Sequence, residues 1–266
     1  AMVETSSDGG IHHIILNRDE GKNSLSTPML AEFNEAVANV SSNKDARVVI
    51  ISSSVPKVFC AGADLKERAK MSEDQIPEFV AKLRGSFQLV AEIPVPVIAA
   101  IDGAALGGGL ELALACDLRI ASKRSIIGLP ETALAIIPGA GGTQRLPRTV
   151  GISKAKELIF LAKRLNGQEA FDIGLVTECV DTDTDTDGTA NTVLEKAIEL
   201  AKKITSHGPV GIRMAKKALD DGMSCSDMKS ALNVEKTCYG QTVPTKDRVE
   251  GLLAFKEKRK PIYIGA

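Results

Sequence analysis

The stretch Ala105-Leu106-Gly107-Gly108-Gly109-Leu110-Glu111-Leu112-Ala113 decides how the chain is read. Three glycines stand between an apolar strand at 97–101, with its turn at Asp102-Gly103, and a helix expected over 110–116. A turn made of glycine lets backbone N–H groups face a ligand with no side chain between them. At a helix N-terminus those donors are unpaired and the helix dipole reinforces them. The plain alternative is that the glycines only permit tight strand–helix packing. Glu111 is the one acid in a helix otherwise made of Leu, Ala and Cys, which points to chemistry; capping of the helix start is its plain alternative.

The same order of strand, small-residue turn and helix appears on both sides. Upstream, Arg47 to Ser53 contains the β-branched run Val48-Val49-Ile50-Ile51, followed by Phe59-Cys60-Ala61-Gly62-Ala63-Asp64 and a charged helix. Downstream, Ile126-Ile127-Gly128-Leu129 leads to Pro138-Gly139-Ala140-Gly141-Gly142 and a helix from about Thr143. A period of roughly 40–50 residues predicts stacked supersecondary units. An opening strand is expected at 11–17 and an amphipathic helix at 30–40, with Leu30, Phe33, Val37 and Val40 at helical spacing. Two donor turns, at Ala61-Gly62-Ala63 and at the triple glycine, could each aim one N–H at a single oxygen, as an oxyanion hole does. Glu131, after Pro130 and between apolar stretches, is a second carboxylate whose proton affinity can be tuned apart from that of Glu111.

Past about residue 190 the pattern becomes helical, with helices expected over 193–204, 210–220, 226–239 and 246–258 and a boundary near 205. The last helix sets Val249, Leu252, Leu253 and Phe255 beside Lys256, Lys258, Arg259 and Lys260. So apolar a helix is expected to dock, on the core or on another subunit.

Composition excludes several classes. The 266 residues carry 33 basic and 34 acidic side chains, a balance with no global pull toward nucleic acid or an anionic membrane. No apolar run is long enough to span a bilayer. Five cysteines, an odd number without a CxxC pair, argue for a reducing compartment and against a disulfide framework or zinc site. There is no GxSxG elbow, and adjacent His12 and His13 in a strand point to opposite faces. Neither glycine turn is followed by the Lys of a phosphate loop, and Gly139-Ala140-Gly141-Gly142 lacks the later glycine of a dinucleotide site. Asp183-Thr184-Asp185-Thr186-Asp187-Gly188 begins like a calcium loop, but its twelfth position is Leu194, so a solvated acidic loop is expected and no metal site.

Taken together, Phe59–Leu65, Ala105–Ala113, Pro130-Glu131 and Ile137-Pro138-Gly139-Ala140-Gly141-Gly142-Thr143-Gln144-Arg145-Leu146 resemble the enoyl-CoA hydratase/isomerase (crotonase) family. The resemblance implies an α/β fold: a spiral of ββα repeats followed by a C-terminal helical trimerisation region. The corresponding division is 1–205 for the core with its active site and 206–266 for the oligomerisation region. It implies an acyl-CoA thioester substrate, no separate cofactor, and a homotrimer or a hexamer built from two trimers. The N–H groups of Ala63 and Gly108 would hold the thioester oxygen, Glu111 would activate water, and Glu131 would deliver a proton to the α-carbon. Family relatives run other reactions on this scaffold, but glutamate at both positions is the hydratase pattern. For CoA, the family pattern suggests Lys22, Ser24 and Leu25 near the nucleotide and Ala61, Ala63, Asp64 and Leu65 along the pantetheine. Phe255 and Lys258 would reach a neighbouring subunit's CoA, or else form a plain exposed basic helix end.

Asp64–Ser72 and Gln241–Arg259 look like the methylglutaconyl-CoA hydratase branch, whose members act in mitochondrial leucine breakdown and are also known to bind AU-rich RNA. A general short-chain enoyl-CoA hydratase of fatty-acid oxidation is the alternative. The branch implies the mitochondrial matrix, and Ala1 ahead of Met2 reads as an added residue, with any transit peptide expected to be missing; a cytoplasmic origin is the alternative. An RNA-binding protein on this fold is a reading of another class. Its helical comb of lysines, however, would fall here on Thr27, Ala31 and Glu35, none of them basic, so weak or no RNA binding is expected.

Overall fold

The computed structural model describes residues 1–181 and 192–266. The acidic run Asp183–Gly188 lies outside the described residues. The strands, in chain order, are β1 (Val3–Asp8), β2 (Ile11–Leu16), β3 (Val48–Ser53), β4 (Val58–Cys60) and β5 (Val97–Ile101), then β6 (Ala104–Leu106), β7 (Leu118–Ser122), β8 (Ile126–Gly128), β9 (Arg164–Leu165) and β10 (Glu178–Val180). They form two sheets, one ordered β1-β2-β3-β5-β7-β10 and the other β4-β6-β8-β9. From β3 to β8 the chain alternates between them, so each turn of the spiral spends one strand in each sheet before or after a helix. The sequence pattern suggests one strand per unit; the structure has two, because Val58–Cys60 and Ala104–Leu106 pair with each other rather than turning directly into helices. The third unit starts at Leu118, on the strand that pairs in parallel with β5, and not at Ile126.

Alternation along the parallel strands explains the layering. Val49, Ile51, Val97, Ala99 and Ile101 point into the main core, while Val48, Ile50, Ile98, Ala100 and Ile120 point to the opposite face. That second face is covered by the helix Val193–Thr205, which presents Val193, Ala197 and Ala201. Both faces of the large sheet are therefore buried, which is why β3 and β5 are continuous apolar runs. The helix Thr27–Ser42 starts earlier than its apolar pattern, because the Ser26 side chain accepts a bond from the Met29 N–H and Pro28 occupies its first turn.

Beyond Thr205 come the helices Pro209–Met223, Met228–Thr242 and Lys246–Glu257. They bury little within one chain: Val249, Leu252, Leu253 and Phe255 of the last helix are all exposed. No described helix is long and apolar enough to cross a membrane.

Candidate active site

Two backbone turns meet at one point. The Leu25 N–H donates to the Gly62 carbonyl at 2.7 Å and the Asp64 N–H donates to the Leu25 carbonyl at 3.2 Å, forming a parallel bridge between Leu25 and Ala63. That pairing leaves the Ala63 N–H facing away from Leu25. Gly108 lies close to that nitrogen: a Cβ built on it would stand 3.4 Å from the Ala63 N. Gly108 opens the helix Gly108–Ala115, so its N–H has no carbonyl one turn back. Among the described residues neither N–H donates to a protein acceptor. Two free donors of this kind, one reinforced by a helix dipole, suit a carbonyl oxygen that gains negative charge.

The three glycines serve different ends. Gly107 precedes the helix with φ +54°, a conformation that L side chains rarely adopt. A Cβ on Gly109 would overlap the carbonyl oxygen of Cys60, so the helix can lie against β4 only with glycine there. Gly108 supplies the donor. The packing explanation of the triplet holds at Gly109, while Gly108 has the free N–H that the catalytic explanation needs.

The two carboxylates are held in contrasting ways. Glu111 is 3% exposed, and its Oε1 accepts bonds from the N–H groups of Ala140 and Gly142, each at 2.8 Å. Burial raises its pKa, opposed by those bonds and by the positive charges of Arg145 and Arg84. Glu131 opens the 3-10 turn Glu131–Leu134, and its Oε2 is buried with no hydrogen-bond partner among the described residues. Burial, with the neighbouring Glu111 charge, pushes its pKa up to about 7, while a backbone bond and Arg68 pull it down. Gly107 joins the two turns to this acid: a Cβ there would stand 3.2 Å from Glu131 Oε1. Burial raises both carboxyls, but Glu111 is the better compensated, so Glu131 holds its proton the more readily, a contrast that suits a pair in which one group accepts and the other donates a proton.

The residues expected along CoA fall into two groups. Lys22, Ser24 and Leu25 run beside Ala61–Leu65, tied by the Ala61 N–H to the Lys22 carbonyl and by the Leu25–Ala63 bridge. Asp64 has a structural task as well: it ion-pairs with Arg18 at 2.8 Å, accepts from Ser24 Oγ at 3.2 Å, and caps the helix Leu65–Arg68. Leu25 is buried against Gly108, whereas Leu65 is exposed. Phe255 and Lys258 sit at the far end of the chain, and no hydrogen bond or ion pair among the described residues links them to this cluster. Arg68, Arg84 and Arg145, all felt electrostatically by the two acids, have no role in the sequence reading. The Cys60 and Cys116 thiols, each pushed up to about 12 by burial, are packing groups rather than nucleophiles.

The chain belongs to the enoyl-CoA hydratase/isomerase family, whose model matches residues 6–265. It is an α/β enzyme of the crotonase fold with a C-terminal helical region. A crystal structure of an enoyl-CoA hydratase from Bacillus anthracis superposes with TM-score 0.94 at 46% identity, covering 100% of both chains. Among curated relatives, the human mitochondrial methylglutaconyl-CoA hydratase is 53% identical over 256 residues, 96% of this chain and 74% of that one. The putative enoyl-CoA hydratase/isomerase YngF of Bacillus subtilis is 50% identical over 252 residues, 95% of this chain and 94% of that one.

Proposed function

We propose that the chain is a hydro-lyase that adds water in syn fashion across the 2,3-double bond of an acyl-CoA thioester, with 3-methylglutaconyl-CoA as its substrate. The observation that carries the chemistry is the pairing of Glu111, whose Oε1 takes two amide bonds, with Glu131, whose buried Oε2 takes none among the described residues, beside the free N–H groups of Ala63 and Gly108. Ala63 and Gly108 bind the thioester oxygen as it becomes enolate-like, Glu111 takes a proton from the attacking water, and Glu131 delivers one to the α-carbon. CoA lies along Lys22, Ser24, Leu25, Ala61, Asp64 and Leu65, and no cofactor is required because the thioester is itself the substrate.

Two observations favour the carboxylate-bearing acyl group over a plain short chain. Relatives at 53% and 52% identity carry the name methylglutaconyl-CoA hydratase. In addition, Arg68 is close enough to Glu131 to lower its proton affinity and makes no side-chain hydrogen bond or ion pair among the described residues. A cation without a protein partner at the site suits a second carboxylate on the substrate. The test is turnover of 3-methylglutaconyl-CoA beside crotonyl-CoA. A clear preference for the first in kcat/KM supports the reading, and a preference for crotonyl-CoA replaces it with the general short-chain hydratase.

Residues 1–205 serve as the catalytic spiral and 206–266 as the oligomerisation region, where Phe255 and Lys258 meet a neighbouring subunit's CoA in a trimer or a hexamer of two trimers. The exposed Leu219, Met223, Met228, Leu252 and Phe255 support this. Light scattering on the purified chain tests it. The mitochondrial names of several relatives support the matrix as its location, while the bacterial relative keeps a cytoplasmic origin as the alternative. RNA binding is outside the proposal: exposed Thr27, Ala31 and Glu35 offer no cation, and the Thr27 N–H and hydroxyl are engaged by the Glu67 carboxylate. A salt-dependent gel shift at submicromolar protein contradicts this if it shows tight binding.

A further inference from the structure

The turn over 138–142 supplies both N–H bonds to Glu111, yet it is a loop of small residues with no side chain of its own to hold it. Its carbonyls are held from outside. Arg84, on the helix Gln75–Ala91, donates from Nε at 3.0 Å and from a terminal nitrogen at 2.8 Å to the Gly139 carbonyl. Arg145, on the helix Gly142–Val150, donates to the Ala140 carbonyl at 3.3 Å and is braced by Gln88 Oε1 at 2.9 Å. Gln88 lies one turn beyond Arg84 on the same helix, so both arginines are referenced to one rigid element. The Gly139 carbonyl shares its peptide plane with the Ala140 N–H, so drawing that carbonyl toward Arg84 turns the Ala140 amide onto Glu111. The Gly141 carbonyl, whose peptide carries the Gly142 N–H, accepts from the N–H groups of Gln144 and Arg145, and the Arg145 side chain fixes the Ala140 carbonyl between them.

We propose that Arg84 and Arg145 are positioning residues, a two-armed clamp that holds the 138–142 turn so that its amides orient Glu111 for water activation. The proposal rests on the reading of Glu111 as the base. The clamp acts twice, through geometry and through charge. The groups facing Glu111 are Arg84 and Arg145 from the two flanking helices, Glu131 from the 3-10 turn, and the two amides. Removing Arg84 weakens one cation and frees the turn, and both changes make Glu111 easier to protonate.

The test compares Arg84→Gln and Arg84→Lys with Glu111→Gln, all as full-length enzyme. Arg84→Gln is expected to lower kcat at least about tenfold, the scale on which small misplacements act, with KM within about twofold of wild type. The acidic limb of its kcat/KM profile moves to higher pH. Arg84→Lys keeps the charge but not the planar fork, so its limb stays closer to wild type than that of the glutamine variant. Amide exchange at Ala140 and Gly142, read without turnover, is expected to quicken in Arg84→Gln. The clamp is overturned if Arg84→Gln keeps the wild-type acidic limb and exchange rates, whatever its kcat. Should Arg84→Gln not fold, amide exchange in Arg84→Lys decides the matter: quickened exchange at Ala140 supports the clamp, and exchange at the wild-type rate overturns it. Failure of the underlying reading looks different: Glu111→Gln itself would turn over like wild type.

Discussion

Glu111 and Glu131 are the same residue type a short distance apart, and the regions that hold them have little in common. Glu111 sits on a helix buried along its whole length, with two amide donors on one oxygen and two arginines nearby. Glu131 sits on a short 3-10 turn with a bare buried oxygen. The difference teaches that surroundings alone set apart the proton affinities of two identical side chains, as the proposed acid and base require. Four compensating influences oppose the burial that raises Glu111, whereas burial and the Glu111 charge outweigh the backbone bond and Arg68 at Glu131 and push it up to about 7.

The largest expected effects break the comparison outright. Glu111→Gln and Glu131→Gln are each expected to lower kcat by about 10²–10⁴, the usual contribution of a positioned acid or base. Steady-state rates with folding checked by circular dichroism measure this, and undiminished turnover in both variants sinks the mechanism. Next in size is Arg68→Ala, expected to cost roughly tenfold to a hundredfold in kcat/KM on 3-methylglutaconyl-CoA, the worth of a charged hydrogen bond, and little on crotonyl-CoA. Equal losses on both substrates would contradict its assignment to the acyl carboxylate.

Smaller effects sharpen the contrast. The wild-type hydration rate is expected to fall as pH rises through about 7, where Glu131 loses its proton. A pH series of kcat/KM on the wild type shows it. Stability follows the same sign. Between its ordinary value of 4.5 and about 7, the folded state binds this proton and the unfolded state does not, so stability falls as pH rises across that window. Glu131→Gln removes the burden, and at pH 8 it should raise unfolding free energy by on the order of 1–2 kcal/mol, discounted for partial exposure. Urea melts at pH 8 and pH 5 check this, the gain being confined to the higher pH.

Legibility in the sequence followed how local each signal was. The runs at 48–53 and 97–101 are buried on both faces and announce themselves as strands. Val3–Asp8 does not: it is an edge strand exposed at every position after Val3, and its order comes from pairing with β2. Leu118–Ser122 follows the helix after the short stretch Cys116-Asp117 and carries Arg119, whose buried guanidinium bonds to the carbonyls of Ala113, Cys116 and Leu175. A charged residue satisfied by carbonyls that only the fold brings round it, nearby ones at Cys116 and Asp117 and a distant one at Leu175, hides a strand from any pattern of apolar spacing. At the site, Glu111, Glu131 and the two glycine turns were readable because glycine and lone acids are conspicuous in apolar segments. The arginines at 68, 84 and 145 were not, since their meaning lies in which carbonyl or carboxylate the fold brings opposite them.

The contrast between the two acids is tested most directly by following the carboxyl carbons of Glu111 and Glu131 by NMR across pH in the substrate-free enzyme, assigned with the two glutamine variants. A Glu131 midpoint near 7 is the predicted result. A Glu131 midpoint at the ordinary carboxylate value of 4.5 would contradict its role as the acid and the account built on it.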